Sequence, residues 1–151
     1  MGSEMCIRDR IDSTQGDPRY INSLGVLYAK YGLDEKAEEQ FNKILKETDY
    51  LPALMNMGNL FYIKEDYKKA REYYTRAQKV SPNNPRVLLS IARVNHEIEN
   101  YGTAREAYSK LKEIAPDLAS RFAYLDLRGE EATRAANVAG VKNLVLWEEE
   151  E

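Results

Sequence analysis

One short pattern occurs three times along this chain. Leu24-Gly25-x-x-Tyr28 returns as Met57-Gly58-x-x-Phe61 and again as Ile91-Ala92-x-x-Asn95, at offsets of 33 and 34 residues. Downstream of each copy, Ala37-x-x-x-Phe41 returns as Ala70-x-x-x-Tyr74 and Ala104-x-x-x-Tyr108. A period of this length marks a stacked helical array rather than a globular enzyme core. The chain is therefore read as a binding surface, and its sequence implies no reaction.

Each copy reads as two antiparallel helices. The spacing predicts pairs at Pro18–Tyr31 and Asp34–Glu47, at Leu51–Lys64 and Tyr67–Val80, and at Pro85–Ile98 and Tyr101–Ile114. Ile21, Leu24 and Tyr28 fall at i, i+3 and i+7, and Leu54, Met57 and Phe61 repeat that spacing, which is helical and not strand-like. Gly32 follows the first helix, where a left-handed residue can end it. Ser81-Pro82-Asn83-Asn84-Pro85 is a turn cluster, with Pro85 placed in a helix first turn, where its missing N–H costs little. Pro116-Asp117 repeats that break. Gly25, Gly58 and Ala92 are expected where the first helix of a pair meets the second, with Ala37, Ala70 and Ala104 on the facing side, so that the helices approach closely. Phe41, Tyr74 and Tyr108 are expected to fill the space toward the next repeat.

Composition narrows the function classes. Hydrophobic residues make up 43%, enough for a core, and the net charge of -3 disfavours a general nucleic-acid role, which calls for a basic face. No apolar run approaches the length needed to span a bilayer, and no secretory leader is visible. The one cysteine, Cys6, excludes an intrachain disulfide. His96 is the one histidine, with no nucleophile at a motif spacing, and neither a dinucleotide-binding nor a phosphate-loop glycine motif is present. No catalytic residue, cofactor or metal site is expected.

These residues resemble the tetratricopeptide repeat, whose pattern is W-x-x-L-G-x-x-Y, then A-x-x-x-F, then P. The resemblance covers about residues 18–118. Ile21, Leu54 and Leu88 stand for the family's Trp, Pro82 and Pro116 for its Pro, and Asp49 replaces that Pro in the first copy. Asn95 replaces the aromatic of the third copy, so that position is expected to be less buried. The resemblance implies an all-α fold, a right-handed superhelical solenoid of three repeats (18–50, 51–84 and 85–118) plus a C-terminal capping helix at 119–128. Phe122 and Leu125 would be the core positions of that helix.

It also implies a concave groove lined by the first helices. The family register places Asn22, Val26, Met55, Asn56, Asn59, Tyr62, Arg86, Leu89, Ser90, Arg93 and His96 there, positions where core-forming residues are not expected and polar side chains have no packing role. Asn56 and Asn59 would hydrogen-bond an extended peptide backbone. Arg86 and Arg93 would hold a carboxylate through forked bonds. Met55, Tyr62 and Leu89 would offer adaptable apolar contact. Some family members clamp the acidic tails of chaperones with Lys, Asn, Asn, Lys and Arg. The matching slots here hold Asn22, Val26, Asn56, Arg86 and Ser90, and only Asn56 agrees outright, which argues against that ligand.

The ends complete the expectation. Residues 1–10 fit no repeat and read as a non-native, disordered leader resembling translated sequencing-adaptor read-through. The chain is expected to be the C-terminal part of a longer array. Residues 129–151 are expected to hold a short helix at 130–139 and an apolar, then acidic tail, with Leu144, Leu146 and Trp147 sealing the last helix. The expected function is a scaffold that binds a peptide or helix of a partner protein, with self-association through the uncapped first repeat, or a regulatory domain of a longer protein, as alternatives. The expected location is the cytoplasm, or the cell envelope if the natural N-terminus is missing.

Overall fold

The computed structural model describes residues 16–126. The expected leader, the short helix at 130–139 and the Val141–Trp147 tail lie outside the described residues. Among those described there are seven α-helices and one 3-10 turn, and no strand. They are α1 (Pro18–Lys30), α2 (Asp34–Leu45), α3 (Leu51–Ile63), α4 (Tyr67–Val80), α5 (Pro85–Glu97), α6 (Tyr101–Ile114) and α7 (Pro116–Ser120), followed by the turn Ala123–Asp126. The first six lie within two residues of the bounds expected from sequence. The chain divides into two compact units, one running to Asn56 and one beginning at Met57.

In the first unit α1 packs on α2. Pro18 occupies the first turn of α1, and the Asp17 carboxylate accepts from the Arg19 backbone N–H at 3.0 Å, satisfying a donor that has no partner within the helix. Gly32, at φ 75°, closes the far end, and the Leu33 N–H donates back to the Tyr28 carbonyl at 2.9 Å. Gly25 faces Phe41: a Cβ added there would stand 2.5 Å from the nearest ring atom. The aromatic thus lies across the glycine of its own pair.

The second unit repeats this joint. A Cβ on Gly58 would meet three ring atoms of Tyr74 at or under 3.0 Å. Ala70, Ala77 and Ala104 are fully buried. Helix α5 packs on both α4 and α6. Its Asn84 side chain accepts from the Arg86 N–H at 3.0 Å, with Pro85 in the first turn. At the slot of Gly32 the later pairs carry Glu65 and Glu99, both at φ 63°. The left-handed exit is therefore a property of the repeat, adopted even where no glycine is available. Asn95, expected to be less buried, is an interior residue. Its amide donates to the Ile91 carbonyl at 2.8 Å and its oxygen accepts from the Asn100 amide at 3.3 Å, so the polar side chain is satisfied locally.

The expected covering helix takes a different form. It starts earlier, at Pro116, lasts five residues and gives way to the 3-10 turn. The Ser120 hydroxyl donates to the Asp117 carbonyl at 2.8 Å, a local bond that competes with continued helix. Both pieces pack on α6, the Tyr108 hydroxyl donates to the Ala119 carbonyl at 2.8 Å, and Leu125 is fully buried.

Candidate partner-binding face

Of the eleven residues expected to line a groove, nine are buried. Arg86 is exposed and Leu89 is half-buried. The expectation that polar side chains at these slots have no packing role is corrected by their partners.

In the first unit Asn22 and Asn56 pair with each other, the Asn56 amide donating to the Asn22 oxygen at 3.0 Å, and Val26 and Met55 are buried core residues. An amide–amide bond away from water ties α1 to the start of α3 and leaves neither group costly to bury.

In the second unit Asn59 accepts from the Tyr74 hydroxyl, the same ring that lies across Gly58. Burial pushes the Tyr74 phenol well above its ordinary range. The Tyr62 hydroxyl donates to the Glu97 carboxylate at 3.2 Å, and its ring meets Tyr67 edge-on at 5.2 Å. Burial raises the Tyr62 phenol too, so it stays a donor.

Helix α5 carries the rest. Arg86, Leu89, Arg93 and His96 recur at i, i+3, i+7 and i+10, which puts them along one face. The Arg93 guanidinium lies over the Tyr62 ring at 5.2 Å and over Phe122 at 5.6 Å. His96 meets Tyr124 edge-on at 5.0 Å and Tyr101 at 5.4 Å. Burial holds the imidazole below its ordinary range, with Glu97 opposing. Burial pushes the Tyr124 phenol up to about 12 against the nearby Arg93 charge. Sequence reasoning placed Glu97 on this face but missed Tyr101 and Tyr124 as its neighbours. The periodicity that found α5 gives no register between it and the 3-10 turn.

No cluster of His, Cys, Asp and Glu suited to a metal ion occurs among the described residues, and no described helix is long and apolar enough to cross a membrane. Paired helices with a small residue at each crossing, and a polar face on the first helix of a pair, define a helical-hairpin repeat protein. Residues 52–84 match the model of the tetratricopeptide repeat. That match coincides with α3, α4 and the turn before α5. Comparison with curated proteins finds no match. The family is one of protein–protein interaction modules, typically non-enzymatic scaffolds.

Proposed function

We propose that the chain is a non-catalytic scaffold whose α5 face receives a peptide or helix of a partner protein. The observation that supports this is the alignment of Arg86, Leu89, Arg93 and His96 along one side of α5, three of them polar, in the helix that directly follows the matched repeat. Arg86 and Leu89 form the accessible end. Ser90, Arg93 and His96 continue inward, with Asn59 and Tyr62 behind them. In this reading Asn22, Val26, Met55 and Asn56 set the geometry of the first unit rather than touch the partner.

The test is selection of peptides from a random displayed library, followed by hydrogen-exchange footprinting of a selected peptide. Protection concentrated on residues 85–97, lost on Arg86→Glu with unchanged helicity, is the expected result. Protection confined to α4 and α6 would overturn the assignment.

A second reading, self-association, is favoured by one face of α1. Tyr20 and Leu27 are 42% and 49% exposed, whereas Val87 and Val94, at the same slots of α5, are fully buried. Sedimentation of the chain over a wide concentration range decides it. A mass that rises with concentration and reverts in Leu27→Glu supports self-association, and a constant monomer mass refutes it.

A further inference from the structure

Helix α4 is a basic element in an acidic chain. The whole sequence has a net charge of -3, yet α4 carries Lys68, Lys69, Arg71, Arg76 and Lys79 against one acid, Glu72. Lys69, Tyr73, Arg76 and Val80 recur there at i, i+4, i+7 and i+11, which lines them along one face. Lys69 and Val80 are exposed, and Tyr73 and Arg76 are half-buried. Rings hold the cations of this stripe. Phe61 of α3 stacks on Tyr73 with the ring centroids 5.8 Å apart. The Lys69 and Lys64 ammonium groups lie 5.1 Å and 5.7 Å from the Phe61 centroid, and the Arg76 guanidinium lies 5.6 Å from that of Tyr73. The other two pairs serve as an internal comparison. At the same slots the first pair has Lys36, Gln40, Lys43 and Glu47, and the third has Thr103, Ala107, Lys110 and Ile114. A helix pair of this kind therefore folds without alternating cations and apolar groups there, so packing does not account for the stripe on α4.

We propose that this stripe of α4 is a docking surface for an acidic amphipathic helix of a partner protein. It lies on the second helix of a pair and is distinct from the α5 face assigned above. Charge and spacing select the occupant. Lys69 and Arg76 stand seven residues apart, about 10.5 Å along the helix axis. A partner helix with acids at the same interval meets both cations, and apolar residues set between and beyond those acids reach Tyr73 and Val80. Because rings already hold the Lys69 and Arg76 charges, these side chains lose less freedom when the partner arrives. A nucleic acid or an anionic lipid surface fits less well. Glu72 stands among the cations of α4, and the net charge of -3 opposes a polyanion. Exposed ion pairs are individually weak, so the expected dissociation constant is on the order of 0.1 mM.

The probe is a dye-labelled, end-capped helical peptide of alanine and glutamine. It carries two glutamates seven residues apart, with one leucine between them and one beyond at the same interval. A second peptide has the same composition in permuted order. Fluorescence anisotropy of each is followed against the full chain at low salt. Poly-uridylate and phosphatidylserine vesicles form two further arms. The expected result is saturable binding of the first peptide and at least ~10-fold weaker binding of the permuted one. Added salt should weaken the complex, since its charges are exposed. Lys69→Glu with Arg76→Glu, checked for unchanged helicity, should abolish binding, and a probe with lysines in place of its glutamates should bind that variant. Lys69→Gln, at an exposed position, supplies the comparison if the double variant loses helicity, and should weaken binding about threefold to tenfold. Lys110→Glu, the same change at the equivalent slot of α6, should leave binding as in the parent. No saturation in the parent up to ~1 mM overturns the proposal. So does equal binding of the permuted peptide, or an equal loss in Lys110→Glu, because either result reduces the effect to bulk charge. Poly-uridylate or vesicles that saturate at lower concentration than the peptide, and lose binding in the same α4 variants, would give the stripe to a polyanion instead.

Discussion

Substituting Gly58 by alanine isolates the joint that holds a helix pair together. In a solvent-facing helix this change stabilises by about 0.8–1 kcal/mol, because alanine loses less backbone freedom on folding. Here the new Cβ would meet three Tyr74 ring atoms at or under 3.0 Å, so the ring must retreat by roughly an ångström to reach ordinary contact. Overpacking of that kind costs about 1–3 kcal/mol. The ring is also tied at its far end, since the Tyr74 hydroxyl donates to buried Asn59, and stretching that bond adds about 1 kcal/mol. The net expectation is a loss of about 1–3 kcal/mol. Urea denaturation followed by helical circular dichroism should show it as a midpoint lowered by roughly 1 M. Gly25→Ala makes the same collision with Phe41, which has no hydroxyl to anchor it, so its loss should be smaller. Adding Tyr74→Phe to Gly58→Ala should give less than the sum of the two single losses, because the freed ring can move. A raised midpoint for Gly58→Ala would refute the reasoning, since it is the behaviour of a helix glycine with nothing against it.

Three further outcomes are expected. Ala70→Leu, at a fully buried position, should lower stability by about 1–3 kcal/mol, and a melting temperature equal to the parent's would remove Ala70 from the helix crossing. Glu99→Gly should raise stability by about 0.5–1 kcal/mol by relieving a left-handed glutamate at φ 63°, and a loss would show that its side chain matters more than its backbone. The acid side depends on His96. Its folded pKa is depressed chiefly by burial, so the unfolded chain takes up the proton first. The neutral imidazole's contribution is present above about pH 6.5 and is lost as the pH falls through the folded value. His96→Phe, which keeps a ring against Tyr101 and Tyr124, should therefore lose less stability between pH 7 and pH 5 than the parent. Equal losses would place the acid sensitivity elsewhere.

Much of the fold is legible in the chain itself. Apolar spacing, proline at helix starts and the Gly/Ala slots are local signals, and each is read within one turn or one repeat. They determine that the described residues are helical, where the six long helices begin and end, and which positions must stay small. They do not determine what fills the space beside a small residue, because that depends on side chains brought together from a different helix. Phe41 and Tyr74 lie across the glycines of their own pairs for that reason, a placement visible only in three dimensions. The polar slots show the same divide. Periodicity marks Asn22, Asn56, Asn59 and Asn95 as departures from an apolar pattern, and a departure reads naturally as an exposed contact. Tertiary structure gives each an interior hydrogen bond, which removes the desolvation cost that would otherwise keep them at the surface. Arg93 and His96 are the exception, buried by the packing of α5 against its neighbours yet with polar atoms that this packing does not satisfy. The sequence by itself determined the repeat and its helices, because those signals are local. Only the tertiary structure decided which polar residues became interior and which kept an unmet hydrogen-bonding capacity, because that depends on distances between residues far apart in the chain.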